Sequence, residues 1–177
     1  MIIGRPTHRV LFLCTANVCR SPLAEALLRR RLRERGLHRQ VAVASAGTRV
    51  GQPGRRPDPR VVQLCAAAGV SLRGVRARAV KQSALERSDS ILVMEPQHLD
   101  DLAAQGVPQQ VLERVQLLGR YLPPGYPAPK DSAIPDPYFA DREGFLSVYQ
   151  QIDAAVLQWV AVLLQPTFDS TSDAEGT

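Results

Sequence analysis

Near the start of the chain, Cys14-Thr15-Ala16-Asn17-Val18-Cys19-Arg20-Ser21-Pro22 sets a thiol six positions ahead of a guanidinium, just before a Ser-Pro pair suited to the opening of a helix. A loop that runs into a helix N-terminus aims several backbone N–H groups at one point, where the helix dipole also favours an anion. A phosphoryl dianion fits such a point. The same field favours a thiolate, so Cys14 is a candidate nucleophile toward phosphorus, and Arg20 can hold two phosphoryl oxygens in bidentate fashion. The chemistry indicated is covalent phosphoryl transfer through cysteine. Asn17 in mid-loop tolerates the positive φ that a tight loop needs. The competing assignment makes Cys14 an inert core thiol and Arg20 a solubilising helix residue. In so arginine-rich a chain the bare spacing is weak, and the context of strand, loop and marked helix start decides.

Transfer from a phenol or alcohol also needs a proton for the leaving oxygen and, later, a base for water. Pro135-Asp136-Pro137-Tyr138 offers Asp136, whose motion is limited by a proline on each side. Taken alone, Pro-Asp-Pro reads sooner as a simple turn.

The elements that must position these groups alternate. Val10–Leu13 is a continuous apolar run, as in a buried parallel strand. Ser21 as N-cap and Pro22 at the first helical position open a helix with a Leu23, Ala26, Leu27, Leu32 stripe, ending at Gly36. Val41–Ala44 predicts a second strand ending in the turn Ser45-Ala46-Gly47-Thr48. Pro57-Asp58-Pro59 opens a helix that stops at Gly69. Ser90–Met94 is a strand, Pro96–Ala104 a helix and Val115–Leu118 a fourth strand. A Pro/Gly-rich loop from Pro123 to Pro137 precedes a last helix, Asp141–Leu164, whose apolar face carries Phe145, Val148, Ile152, Val156, Trp159 and Leu163. This is the pattern of an α/β fold, a four-stranded parallel sheet between helices in three layers, with its ligand site beyond the carboxyl ends of the strands. One domain over residues 9–165 is expected, with an extension at 1–8 and a disordered acidic tail at 166–177.

With 177 residues, 45% hydrophobic and 22% charged, the chain suits one globular domain and excludes disorder throughout. Three cysteines without a Cys-x-x-Cys pair exclude a dense disulfide framework and point to a reduced, cytoplasmic setting. No apolar run is long enough to span a bilayer, and Thr15, Asn17 and Arg20 interrupt the one stretch resembling a signal sequence. His8, His38 and His98 have no metal-ligand spacing and are expected at the surface; no metal or cofactor is indicated. The net charge of +5 divides unevenly: residues up to Ser90 hold 18 basic and 5 acidic side chains, those beyond it 4 and 12. A basic first half attracts phosphate in any form, whether nucleic acid, lipid headgroup or phosphorylated protein, unless it is simply a solvated arginine face.

From about Arg9 to Leu164 the chain resembles the low-molecular-weight protein tyrosine phosphatases. The resemblance rests on the cysteine loop, Ser45-Ala46-Gly47-Thr48, Pro57-Asp58-Pro59-Arg60, Ile91-Leu92-Val93-Met94, Leu117-Leu118-Gly119, Asp136-Pro137-Tyr138 and Val148-Tyr149-Gln150-Gln151-Ile152, in the expected order. It implies that Cys14 forms a phosphocysteine, Arg20 binds phosphate and the transition state, and Asp136 is general acid and then base. Thr15, Ala16, Asn17, Val18, Cys19 and Ser21 would line or brace the substrate loop with Ser45, and Tyr138 the mouth that receives the phosphotyrosine ring. An oxidised Cys14 would be trapped as a disulfide with Cys19, which otherwise is a small buried wall residue. The implied partner is a phosphotyrosine protein, and Ile134-Pro135-Asp136-Pro137-Tyr138 with Val148-Tyr149-Gln150-Gln151 most resembles bacterial members that act on an autophosphorylating tyrosine kinase in exopolysaccharide production. On this reading nucleic acid is not needed to explain the charge. Two departures stand out. Ala16 replaces the usual glycine, so strain and reduced activity are expected, and Val75 stands where some members carry a supporting histidine. An arsenate reductase would need further cysteines, and Cys65 alone lies outside the loop. A protein arginine phosphatase usually has Thr at Val18, and a binding module would bind phosphotyrosine without turnover.

Overall fold

The computed structural model describes residues 7–126 and 131–165. Strands β1 (His8–Cys14), β2 (Val41–Gly47), β3 (Ser90–Val93) and β4 (Val115–Leu117) form one parallel sheet in the order β2-β1-β3-β4. The helices are α1 (Arg20–Glu34), α2 (Pro59–Ala67), α3 (Gln82–Glu86), α4 (Pro96–Ala104), α5 (Gln109–Leu112) and α6 (Arg142–Leu163). β1 lies between β2 and β3, and its alternating side chains go to opposite faces. Val10 and Phe12 pack in the layer of α1, α2 and α6 with Leu28, Cys65, Phe145 and Ile152. Leu11 and Leu13 pack with Leu85, Leu102 and Val111 from α3, α4 and α5. Burial on both faces explains why this strand reads as unbroken apolar sequence rather than as alternation.

Several boundaries move from the sequence expectation. β2 continues through Ser45 and Ala46 to Gly47, because these residues pair with Phe12, Leu13 and Cys14 of β1. The expected turn is therefore the end of a strand, made of small residues because another segment crosses it. α1 begins at Arg20 after Cys19, so Ser21 is not its N-cap and Pro22 is its third residue. The Ser21 hydroxyl has other partners, described below. Asp58 does cap α2, accepting from the Arg60 N–H at 2.9 Å, with Pro59 first in the helix. α3 and α5 were not foreseen, since a helix of one turn shows no 3.6-residue period. Residues 1–6 of the expected extension and the expected tail at 166–177 lie outside the described residues.

α6 covers α1 and the sheet through Phe145, Val148, Ile152, Val156 and Trp159, and Arg31 of α1 holds both Asp153 oxygens at 2.8 and 2.9 Å. Leu28, fully buried in this layer, tests it away from any functional group. Leu28→Ala is expected to cost about 2–5 kcal/mol, read as a lowered urea midpoint at unchanged m-value.

Candidate active site

The site is built where β1 runs out. Between Cys14, the last residue of β1, and Arg20, the first of α1, the chain turns through Asn17 at φ 56°. Asn17 and Ser132 are the only non-glycine residues with positive φ among those described. Asparagine bears this conformation and is buried here with its amide fully used. Its Nδ2 donates to Ser21 Oγ at 2.9 Å and Ser45 Oγ at 3.0 Å, and its Oδ1 accepts from the Arg78 backbone at 3.1 Å. Ser45 in turn donates to the buried Glu25 at 2.5 Å. Because Ser21 Oγ accepts from Asn17, its own proton is free to point at Cys14 Sγ, 2.9 Å away, or at the Ala46 carbonyl at 3.2 Å. The sequence motif thus places a hydroxyl within hydrogen-bond reach of the thiol.

The loop is pinned from below. The Thr48 and Arg49 N–H groups, just past β2, donate to the Cys14 and Thr15 carbonyls, each at 2.9 Å. A β-carbon on Gly47 would lie 2.6 Å from the Thr15 carbonyl oxygen, so only glycine lets the loop rest on β2. The strain expected at Ala16 does not arise, since the left-handed residue is its neighbour Asn17.

Arg20 emerges from the first turn of α1 with a side chain only 1% exposed. One terminal nitrogen donates to Glu95 at 2.5 Å and to the Ile134 carbonyl at 2.9 Å, and the other to Asp136 at 2.7 Å. The expected nucleophile loop and expected acid therefore meet through a guanidinium. The Asp136 carboxylate also accepts from the Tyr138 N–H at 3.1 Å. Arg60 fixes this acid segment from outside: it donates to the Tyr138 carbonyl at 3.0 Å and lies 3.9 Å over the Phe145 ring. Its partner Asp58 donates its own N–H to the Val18 carbonyl at 2.9 Å, so one ion pair links acid segment and phosphate loop.

Cys14, Thr15, Ala16, Val18, Cys19, Arg20, Asp136 and Tyr138 line a common cleft of about 220 Å³, joined by Arg55 and Phe139. Asn17 and Ser21 stand behind its wall as braces. The family profile described as low molecular weight phosphotyrosine protein phosphatase matches residues 9–167. The chain belongs to this family. A Streptomyces coelicolor low molecular weight protein-tyrosine-phosphatase is 37% identical over 84% of this chain and 89% of its own length. The tyrosine phosphatase Wzb of Escherichia coli K30, crystallised with sulphate, superposes with a TM-score of 0.74 at 30% identity, covering 88% of this chain and 97% of that one. The arginine phosphatase YwlE of Bacillus subtilis shares the fold, with a TM-score of 0.77 at 24% identity over 90% of this chain and 97% of its own.

Sequence reasoning missed several participants, Arg55 of the cleft wall among them. Glu95 lies two residues past the end of β3, at the carboxyl edge where α/β ligand sites gather, and that position was its available signal. Phe139 is 96% exposed beside Tyr138, with the two rings edge to face at 5.0 Å. His98, expected at the surface, is wholly buried. Its place on the inner face of α4 sets it against the loop. His8 is likewise half-buried, bonded to Ser90 at 2.9 Å, whereas His38 is exposed as expected. His98 Nδ1 accepts the Glu95 N–H at 3.1 Å, which leaves the proton on Nε2 to reach Thr15 Oγ1 at 3.0 Å. A neutral imidazole thus spans from the helix start that carries Glu95 to the phosphate loop. Asp101, one turn on, accepts from Thr48 Oγ1 at 2.7 Å, so α4 braces both sides of the loop.

Burial and then the nearby Arg20 charge push His98 down to about 4 from its ordinary 6.5, against the opposing carboxylates of Glu95, Asp101 and Asp136. Between those values the unfolded chain takes up a proton that the folded chain refuses, so stability falls as pH drops from 6.5 toward 4. His98→Gln removes this contribution, which can reach about 1.4 kcal/mol per pH unit, and the variant's unfolding free energy should flatten over that window in a pH series of urea titrations. Ala16→Gly tests the loop backbone: with no strain to relieve, it should lower stability by about 0.4–1 kcal/mol in the same assay.

Proposed function

We propose that the chain hydrolyses phosphotyrosine in proteins through a phosphocysteine at Cys14. The observation that carries this is the pairing of Arg20 with Asp136 at 2.7 Å in the cleft that opens on Cys14, itself 2.9 Å from Ser21 Oγ. A substrate dianion settling against the loop amides takes over the Arg20 nitrogen that Asp136 now occupies, while Glu95 and the Ile134 carbonyl keep the other one fixed. Cys14 attacks phosphorus as the thiolate, with Ser21 donating to the sulfur, and the phosphorus–oxygen bond to the ring breaks. Asp136, released from Arg20 as a carboxylate, takes up the proton that the Cys14 thiol loses on becoming thiolate and gives it to the departing phenolate. It then takes a proton from the water that cleaves the sulfur–phosphorus bond, returning thiolate and inorganic phosphate. Arg20 holds the equatorial oxygens as charge redistributes, an electrostatic contribution from a buried guanidinium.

Substrate class follows from the walls. Val18, Tyr138 and Phe139 offer apolar and aromatic surface to a ring, which supports phosphotyrosine over the charged, planar guanidinium of phosphoarginine. Likeness to the Wzb phosphatase supports a bacterial role on an autophosphorylating tyrosine kinase, and three cysteines without a Cys-x-x-Cys pair support a cytoplasmic setting.

Stopped-flow hydrolysis of an aryl phosphate should give a burst of phenol, absent in Cys14→Ser. Asp136→Asn should lower kcat by about 10²–10⁴-fold, the usual worth of a positioned acid. A phosphotyrosine peptide should be turned over faster than its phosphoarginine counterpart. No burst and no turnover in the wild type, with phosphopeptide still bound, would instead make the chain a binding module.

A further inference from the structure

Outside the catalytic cleft, a large recess runs along α2. Its volume is about 1000 Å³, and its floor is apolar, formed by Val62 and Ala66 of α2 with Val70 and Leu72 of the segment that follows. Arg56, Arg73 and Arg76 stand on its rim, all exposed. Among the described residues none of the three has an ion-pair partner, and no acidic side chain lines the recess. Some other arginines differ in this. Arg20, Arg29, Arg30, Arg31, Arg49 and Arg60 are each matched with a carboxylate. The groove is thus a place where positive charge is gathered and left uncompensated.

Its position relates it to the cleft. Arg55 lines the cleft and its neighbour Arg56 lines the groove, so the two openings adjoin along the backbone. Pro59, the first residue of α2, lines the groove, and the adjacent cap residue Asp58 is bonded to the Val18 carbonyl of the phosphate loop. From Pro59 to Ala66 the helix rises about 10 Å, which an extended peptide covers in about three residues.

We propose that this groove docks an acidic stretch of the phosphoprotein substrate, placed within a few residues of the phosphotyrosine. This rests on the phosphatase reading and adds a specificity surface to it. The occupant's chemistry follows from the groove: carboxylates meet the three guanidiniums, and the aliphatic stems of the acidic residues lie on the valine and leucine floor. A recess of this length fits an extended chain better than a flat lipid surface does. Pairs of this exposed kind are individually weak, so three together are worth about tenfold in affinity, screened by salt.

The test uses the full chain carrying Cys14→Ser and three fluorescent phosphotyrosine peptides: one with three glutamates before the phosphotyrosine, one with them after it, and one with glutamines on both sides. One acidic peptide should bind about tenfold more tightly than the neutral one. Substituting Arg56→Gln, Arg73→Gln and Arg76→Gln together should erase that difference while leaving the neutral peptide's affinity unchanged, as should salt raised to about 1 M. Equal affinity for all three peptides overturns the proposal. So does an acidic preference that survives the triple substitution, which would assign it to Arg55 or to general charge. Turnover of a small aryl phosphate by the otherwise wild-type chain, with and without the three glutamines, reports separately on the phosphatase reading and should be unaffected by them.

Discussion

A guanidinium that keeps its charge at every physiological pH, in a side chain only 1% exposed, must find its counter-charges within the protein, and the site is organised around that demand at Arg20. Its partners come from far along the chain: Glu95 beyond β3, the Ile134 carbonyl and Asp136. Each of these segments is itself fixed. Ile134 donates its N–H to the Met94 carbonyl at 2.7 Å, and the Glu95 N–H is held by His98. Removing any one partner would leave a buried charge short of a bond, so the three segments are obliged to stay together. The geometry that catalysis requires is also the one that buried electrostatics enforces.

The partners are not equivalent. Glu95 and the Ile134 carbonyl share one nitrogen and are tied to β3 and α4, so they set the plane of the guanidinium. Asp136 sits alone on the other nitrogen, 44% exposed, on a segment held at its margin by Arg60 rather than at its centre. Its attachment is the one that a competing anion can replace without disturbing the sheet. The resting site thus holds a carboxylate against the guanidinium rather than leaving that charge unmatched.

How much of this was legible in the sequence differs by residue. Cys14 and Arg20 carried their chemistry in their types and flanks, Asp136 chiefly through the family resemblance, and the structure brings the three to one cleft. The strands of the sheet were legible because burial on both faces leaves an unbroken apolar run. Boundaries were less so: Ser45-Ala46-Gly47 looks like a turn, since small residues mark turns and close crossings alike, and only pairing with β1 shows the latter. His98 was misread for a related reason. A lone histidine without ligand spacing carries no signal of burial, and its partners, Thr15 and the Glu95 N–H, depend on how α4 packs against the loop. Glu95 and Glu25 carry no mark of their partners in the sequence, and only the fold supplies the arginine and the hydroxyl that they satisfy. What sequence withholds is chiefly the second partner of each polar contact.

The uneven charge along the chain takes on meaning in the same way. Arg20 with Glu95 and Asp136, Arg31 with Asp153, and Arg49 with Asp101 all join a base from the first half to an acid from the second. Much of the separation along the sequence is therefore cancelled on folding, where bases of α1 and of the segment after β2 meet acids near β3, on α4, on the acid segment and on α6. Local pairs such as Asp58 with Arg60 and Glu34 with Arg30 neutralise others. Among the described residues, the arginines left without carboxylates include Arg55 on the cleft and Arg56, Arg73 and Arg76 on the groove beside it. Unpaired charge placed there contributes to the field at the mouth of the cleft, while the buried pairs deeper in hold its walls together.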